Sequence, residues 1–169
     1  MIVVVDYGVG NLASIKNMLR KIGHESLISS KPEDVTSAEK LILPGVGSFD
    51  HGMQQLEKTG IRAVLDESVL KKKTPILGIC LGFQLMTEGS DEGSEGGLGW
   101  FSGRCKKFEF SGDKSNLKVP HMSWAEVEFA KPSSLYDNSE TEPSRFYFVH
   151  SYHAQATDDT EVLARAHYG

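Results

Sequence analysis

Pro75-Ile76-Leu77-Gly78-Ile79-Cys80-Leu81-Gly82-Phe83-Gln84 is the stretch that decides how this chain folds. The run Ile76–Ile79 reads as a short apolar strand, a cysteine between two glycines follows, and Leu81 opens a helix. This is the thiol form of the Gly-x-nucleophile-x-Gly elbow, which lifts one side chain at a sharp strand-to-helix turn. Gly78 and Gly82 spare that turn the Cβ clashes of larger residues. Cys80 is placed at the strand tip beside a helix N-terminus, where the dipole favours thiolate. The Leu81 amide points to the same spot and suits an oxyanion. A small buried cysteine in an ordinary βα turn is the competing reading.

The first half of the chain alternates strand and helix. Ile2–Val5 is a continuous apolar run, as a buried parallel strand requires. Leu12, Ile15, Leu19 and Ile22 mark one helix face, closed by Gly23. Ser26–Ser30 and Lys40–Leu43 read as the next strands, the latter ended by Pro44-Gly45, and Ile61, Val64, Leu65 and Val69 mark another helix. Such alternation predicts an α/β fold with a mainly parallel sheet and helices on both faces. The second half changes character. Trp100–Phe108, Trp124–Phe129, Arg145–Val149 and Val162–Ala166 read as antiparallel strands added to that sheet. The polar stretches Glu109–Lys118 and Lys131–Ser144 read as loops.

With 169 residues the chain reads as a single domain, 1–169. A net charge of −5 argues against a broad electrostatic grip on nucleic acid or an anionic membrane. Two cysteines, Cys80 and Cys105, do not make a secreted disulfide scaffold. No apolar run reaches transmembrane length, and Met1–Val5 stops at Asp6, too short for a signal peptide. A reducing, cytoplasmic setting is the expectation. No His, Cys or carboxylate spacing suggests a metal site, and no cofactor is expected.

Ligands of open α/β sheets bind at the carboxyl ends of the strands. Three glycine-rich loops fall there: Tyr7–Asn11, Pro44–Ser48 and the Cys80 elbow. Pro44-Gly45-Val46-Gly47 is small enough to bring backbone amides against a ligand, although a plain turn uses the same residues. Gly8-Val9-Gly10-Asn11-Leu12-Ala13 also fits the G-x-G-x-x-A dinucleotide fingerprint of a dehydrogenase. That rival needs a carboxylate at the end of the second strand, where Ser29-Ser30-Lys31 stands instead. His150 and His153, in Phe146–His153, are candidates for a general base beside Cys80, or for histidines that cap a sheet end. His121 and Trp124 form a second aromatic-polar cluster, read either as core or as an interface anchor.

Five ordered motifs carry a resemblance over essentially the whole chain. They are Asp6-Tyr7-Gly8-Val9-Gly10-Asn11, Leu43–Gly47, Gly78–Gln84, Val119-Pro120-His121-Met122 and Tyr147–Tyr152. Together they resemble the glutaminase subunits of imidazole glycerol phosphate synthase, class I (triad-type) glutamine amidotransferases of histidine biosynthesis. The resemblance implies that Cys80 attacks the side-chain amide of L-glutamine, releases ammonia and leaves a glutamyl thioester for hydrolysis. It implies oxyanion amides at Leu81 and near Val46. It places Gly47, Gln84, Glu92, His150, Ser151 and Tyr152 in the glutamine pocket, with Glu92 suited to the substrate ammonium. Asn11, His121, Trp124 and Tyr147 match positions facing a (β/α)8-barrel cyclase that consumes the ammonia, a heterodimeric partner.

Two departures stand beside it. The family carries its base and orienting carboxylate in a His-Pro-Glu segment near the C-terminus, and no His-Pro-Glu occurs in these residues. Family members run to about two hundred residues. The expectation is therefore a domain lacking its C-terminal segment, with one triad member present, His150 not the base, and no glutaminase activity from residues 1–169 alone. The second departure is Ser123-Trp124-Ala125 where the family usually has Gly-Trp-Asn. Gly47-Ser48-Phe49-Asp50 and Lys72-Lys73-Thr74-Pro75 also lean towards paralogues that feed ammonia to surface-polysaccharide enzymes.

Overall fold

A computed structural model describes residues 1–111, 116–136 and 144–168. Strands β1 (Ile2–Val5), β2 (Ser26–Ser29), β3 (Lys40–Gly45) and β4 (Ile76–Cys80) form a parallel sheet in the order β2-β1-β3-β4. Their crossovers are α1 (Leu12–Lys21), α2 (Pro32–Thr36), and α3 (Phe49–Lys58) followed by α4 (Ile61–Asp66). α4 runs on into a π-helical turn, Glu67–Lys71, and α5 (Leu81–Leu85) leaves the tip of β4.

Strand alternation divides the apolar residues between two faces. Val3, Val5, Leu41 and Leu43 point to the face covered by α3, α4 and α5, and pack with Phe49, Met53, Leu56 and Leu65. Each of these is at most 1% exposed, and burying one such side chain contributes roughly 1.5–3 kcal/mol. α1 packs on β1 and β2 outside that cluster, on the opposite face. Asn11 caps it, its Oδ1 accepting from Ser14 N at 3.3 Å, and Arg20 and Lys21 complement the dipole at its last turn. Its inward residues Leu12, Ile15 and Leu19 are only half-buried.

The second half is antiparallel, as its short alternating runs suggest, but among the described residues it forms two further sheets and no extension of the parallel one. β5 (Gly103–Lys107) pairs with β8 (Tyr152–Ala156). β6 (His121–Phe129) lies between β7 (Arg145–His150) and β9 (Ala164–Ala166). β6 starts at His121, three residues before the expected Trp124, and β8 falls where the sequence pattern predicts no strand. Of the expected loops, residues 112–115 and 137–143 lie outside the described residues. Among the described residues no helix is long and apolar enough to cross a membrane.

The β6–β7 register sets Met122 opposite Val149 and Trp124 opposite Tyr147. These four therefore share one face of the pair. All four are roughly half exposed, and Trp124, at 60%, is no core residue.

Candidate active site

Parallel pairing of β3 and β4 places Gly45 beside Cys80 and Pro44 beside Ile79. Two of the three glycine-rich loops therefore converge. Cys80 is the last residue of β4 and the N-cap of α5, held at φ +54°, ψ −121°. A side chain at positive φ costs of order 1–3 kcal/mol, a strain that the surrounding packing must hold. The elbow has room for nothing at its two glycines. A Cβ on Gly78 would stand 2.5 Å from Phe83 Cα, and one on Gly82 would overlap the Leu43 carbonyl. These close approaches press α5 onto β3 and β4 and leave the Cys80 side chain exposed.

Tyr7, quoted in the sequence only as part of a motif, has a specific place here. It is fully buried, and its hydroxyl donates to the Pro44 carbonyl at 2.6 Å. Burial, and then the nearby Cys80 charge, push its phenol above the ordinary range, so it remains a donor. The signal available in sequence was an aromatic with a polar tip at a strand end, which also fits a plain core tyrosine. Beyond Pro44, Val46 is 54% exposed and Gly47 sits at φ +93°. Cys105 is the opposite of Cys80. It is fully buried in β5, and burial pushes its thiol up to about 11.

A cleft of about 1280 Å³ opens over Cys80, and its lining includes Gln84, His121, Tyr147, His150 and Tyr152. Phe83 and Phe101 stack at 5.4 Å on its wall. Gln84 Nε2 donates to the Tyr152 carbonyl at 3.2 Å, and His150 Nδ1 meets the same oxygen at 2.8 Å. His150 Nε2 is buried with no partner. Among the described residues no hydrogen bond joins Cys80 Sγ to His150 or His153. His121 and His153 both have their pKa lowered, chiefly by burial, which disfavours the imidazolium.

Of the remaining expected residues only His121 lines this cleft; Leu81, Glu92, Ser151, Asn11 and Trp124 do not. Leu81 is buried in the first turn of α5. Glu92 Oε2 accepts from Phe49 N at 2.8 Å, tying it to the start of α3. Ser151 offers its carbonyl to Phe108 N at 3.0 Å. Asn11 caps α1, and Trp124 lies edge-on to Tyr147 at 5.6 Å. His121 is not on the surface. It is 2% exposed under the Tyr168 ring at 3.8 Å, with Nε2 2.9 Å from Ser123 Oγ. It supports the Trp124 face from behind. Among the described residues no group of three or more His, Cys, Asp or Glu is placed to hold a metal ion.

A strained nucleophile beside a glycine loop and an open cleft suits acyl transfer. Known proteins agree. The family model for class I glutamine amidotransferases matches residues 3–169. Imidazole glycerol phosphate synthase subunit HisH 2 of Methanococcus maripaludis is 47% identical over 99% of this chain and 81% of its own length. The HisH 2 subunit of Pseudomonas aeruginosa is 47% identical over 100% and 82%. The HisH subunit of Leptospira borgpetersenii is 44% identical over the same shares. A crystal structure of a glutamine amidotransferase superposes with TM-score 0.70 at 17% identity, covering 98% of this chain and 80% of that one. PurLQS from Thermotoga maritima does so with TM-score 0.70 at 20% identity, covering 99% and 74%, and both likenesses are of fold. With its elbow cysteine, its two glycine loops and this kinship, the chain belongs to the class I glutamine amidotransferase family, among the HisH subunits of imidazole glycerol phosphate synthase.

Proposed function

We propose that this protein supplies ammonia from L-glutamine, by a thioester on Cys80, to a barrel cyclase of histidine biosynthesis in the cytoplasm. The observation that carries the proposal is the strained, exposed Cys80 in register with Gly45, at the mouth of the cleft. The Cys80 thiolate attacks the carboxamide carbon, and the carbonyl oxygen becomes an oxyanion. The amides of Leu81 and Val46 are assigned to it. The C–N bond then breaks, and the nitrogen takes a proton and leaves as ammonia. Water adds to the thioester, glutamate departs and the thiolate returns. A backbone-amide oxyanion site is worth roughly 10²–10³ in rate per donor.

Gly47, Gln84, Glu92, His150, Ser151 and Tyr152 are assigned to the glutamine pocket. The bond from His150 to Tyr152 O and the lack of a Cys80 partner there support a positioning part for His150. The relatives are longer than 169 residues, and the general base is assigned to a His-Pro-Glu segment that these residues do not contain. Asn11, Trp124 and Tyr147, with His121 behind them, are assigned to the cyclase interface. The half-exposed apolar face of β6 and β7 supports that assignment. The observation that favours a second reading, a subunit serving a polysaccharide-modifying synthase, is Ser123-Trp124-Ala125, of which Trp124 lies on that face and Ser123 and Ala125 on its reverse.

One assay separates them. Full-length subunit is mixed with the histidine-pathway cyclase of its organism, and glutamate release is measured with the cyclase loaded with its phosphoribosyl ligand. Stimulated release that Cys80→Ser abolishes, with ammonia-dependent cyclase turnover intact, is the expected result. No complex and no stimulation, with stimulation by a sugar-modifying synthase instead, would move the protein to the second reading.

A further inference from the structure

We propose that Asp50 is a positioning residue for the glutaminase reaction, one half of a two-carboxylate clasp that fixes the loop between Pro44 and Phe49. The proposal rests on the glutaminase reading above. Asp50 lies in the first turn of α3. Its Oδ1 accepts from Glu95 N at 2.9 Å, and its Oδ2 from Ser94 N at 3.0 Å and Ser94 Oγ at 3.4 Å. Glu92 reaches across the same seam in the opposite direction, its Oε2 accepting from Phe49 N at 2.8 Å. Helix to turn and turn to helix, the two carboxylates lock residues 92–95 onto the start of α3. Ser48, the residue preceding α3, makes no side-chain cap bond, and Glu92, from 43 positions away, serves the helix's first free amide instead.

The seam has little tolerance. A Cβ on Gly93 would overlap the Asp50 carboxylate. Gln54 Nε2 adds a bond to Glu95 Oε1 at 3.2 Å, and Glu92 N is held by Ser90 Oγ at 3.1 Å. The bonds from Ser94 and Glu95 hold the Asp50 carboxyl below the ordinary carboxylate range, so it is an anion throughout the neutral range.

The clasp matters because the loop it ends has little packing of its own. Val46 is exposed, and nothing lies within 4 Å of where a Gly47 Cβ would be. The loop's position is therefore inherited from its two ends. Tyr7 fixes the first through Pro44 O, and the clasp fixes the second through Phe49 N. Because the same seam carries Glu92, it couples the assigned oxyanion loop to the residue assigned to the substrate ammonium.

The test uses the full-length subunit in complex with its cyclase. Glutamine kcat and KM are measured for Asp50→Ala, Asp50→Asn and Gly93→Ala, alongside amide exchange at residues 46–49. Misplacing an oxyanion donor supports a fall in kcat of roughly tenfold or more for Asp50→Ala. KM should move much less, and the Phe49 amide should exchange faster. Asp50→Asn keeps one acceptor oxygen and should recover part of kcat. Gly93→Ala attacks the seam from the other side and should reproduce the loss with Asp50 intact. Gly60→Ala, strained by φ +71° and lying past the opposite end of α3 from Asp50, is the stability control and should leave kcat unchanged. Wild-type protein without glutaminase activity would refute the functional reading. Active wild type with kcat and Phe49 exchange unchanged in Asp50→Ala and Gly93→Ala would overturn the clasp alone.

Discussion

Gly78→Ala tests the elbow from beneath. The added methyl would stand 2.5 Å from Phe83 Cα, 2.7 Å from Phe83 N and 2.8 Å from Met86 Cε. An ordinary carbon–carbon contact is about 3.5–4.0 Å, so α5 must move away from β4 by roughly 1 Å. Met86 can swing aside, but the Phe83 contacts are backbone and cannot. Overpacking against an unyielding partner costs about 3 kcal/mol, the upper part of its usual span. For a domain of this size that lowers Tm by roughly 6–12 °C. The same movement carries Leu81 and its amide away from Cys80. A misplacement of about 1 Å costs on the order of 10² in turnover. Thermal melting and glutamate release by the cyclase complex read the two effects separately. Two controls frame the result. Gly96→Ala meets nothing within 4 Å and should stay within about 0.5 kcal/mol of wild type. Gly60→Ala, with nothing within 4 Å but φ +71°, should lose about 1–2 kcal/mol and keep its activity. Gly78→Ala with wild-type Tm and turnover would refute the close contact between β4 and α5.

Tyr7→Phe deletes the hydroxyl that serves the buried Pro44 carbonyl; it should cost about 1–3 kcal/mol by urea unfolding and lower kcat more than it raises KM. The Asp50 contribution should depend on pH in one direction. Its carboxyl is depressed in the folded protein, so its stabilisation is present above the unfolded value and lost as pH falls through the lower folded one. The urea midpoint of Asp50→Asn should thus lie below wild type at neutral pH and converge with it in strong acid. A gap that stays constant into acid would contradict the two backbone bonds.

The first half of the fold was legible because parallel strands, buried on both faces, are written as unbroken apolar runs such as Val3-Val4-Val5 and Leu41-Ile42-Leu43. The elbow was legible because its glycines are forced by contact. α2 was not, being five residues, mostly polar, entered by Pro32 at its first position. β8 was missed because the alternation in Tyr152-His153-Ala154-Gln155-Ala156 is faint: two of its three apolar positions are alanine, a poor strand former. Separation of the antiparallel strands into their own sheets is a matter of partner choice, which alternation does not encode. The site divides the same way. Cys80, Val46 and Leu81 follow from a local turn, whereas the bonds of Glu92 to Phe49 and Asp50 to Ser94 span more than forty residues between polar segments. No periodicity records such pairs. His121, read as partner-facing by resemblance, is buried because its strand pairs it with His150 and turns it under Tyr168.

The central claim is that Cys80, and no other thiol, forms the bond to the substrate carbon. A diazoketone analogue of glutamine, which alkylates an activated thiol with loss of nitrogen, tests it directly on the full-length subunit in its cyclase complex. Peptide mapping should find a single adduct on Cys80, formed in step with loss of glutaminase activity and suppressed by excess glutamine, with Cys105 unmodified until the protein unfolds. An adduct on Cys105 that tracks the loss of activity, or labelling of Cys80 that leaves glutaminase turnover intact, would contradict the account.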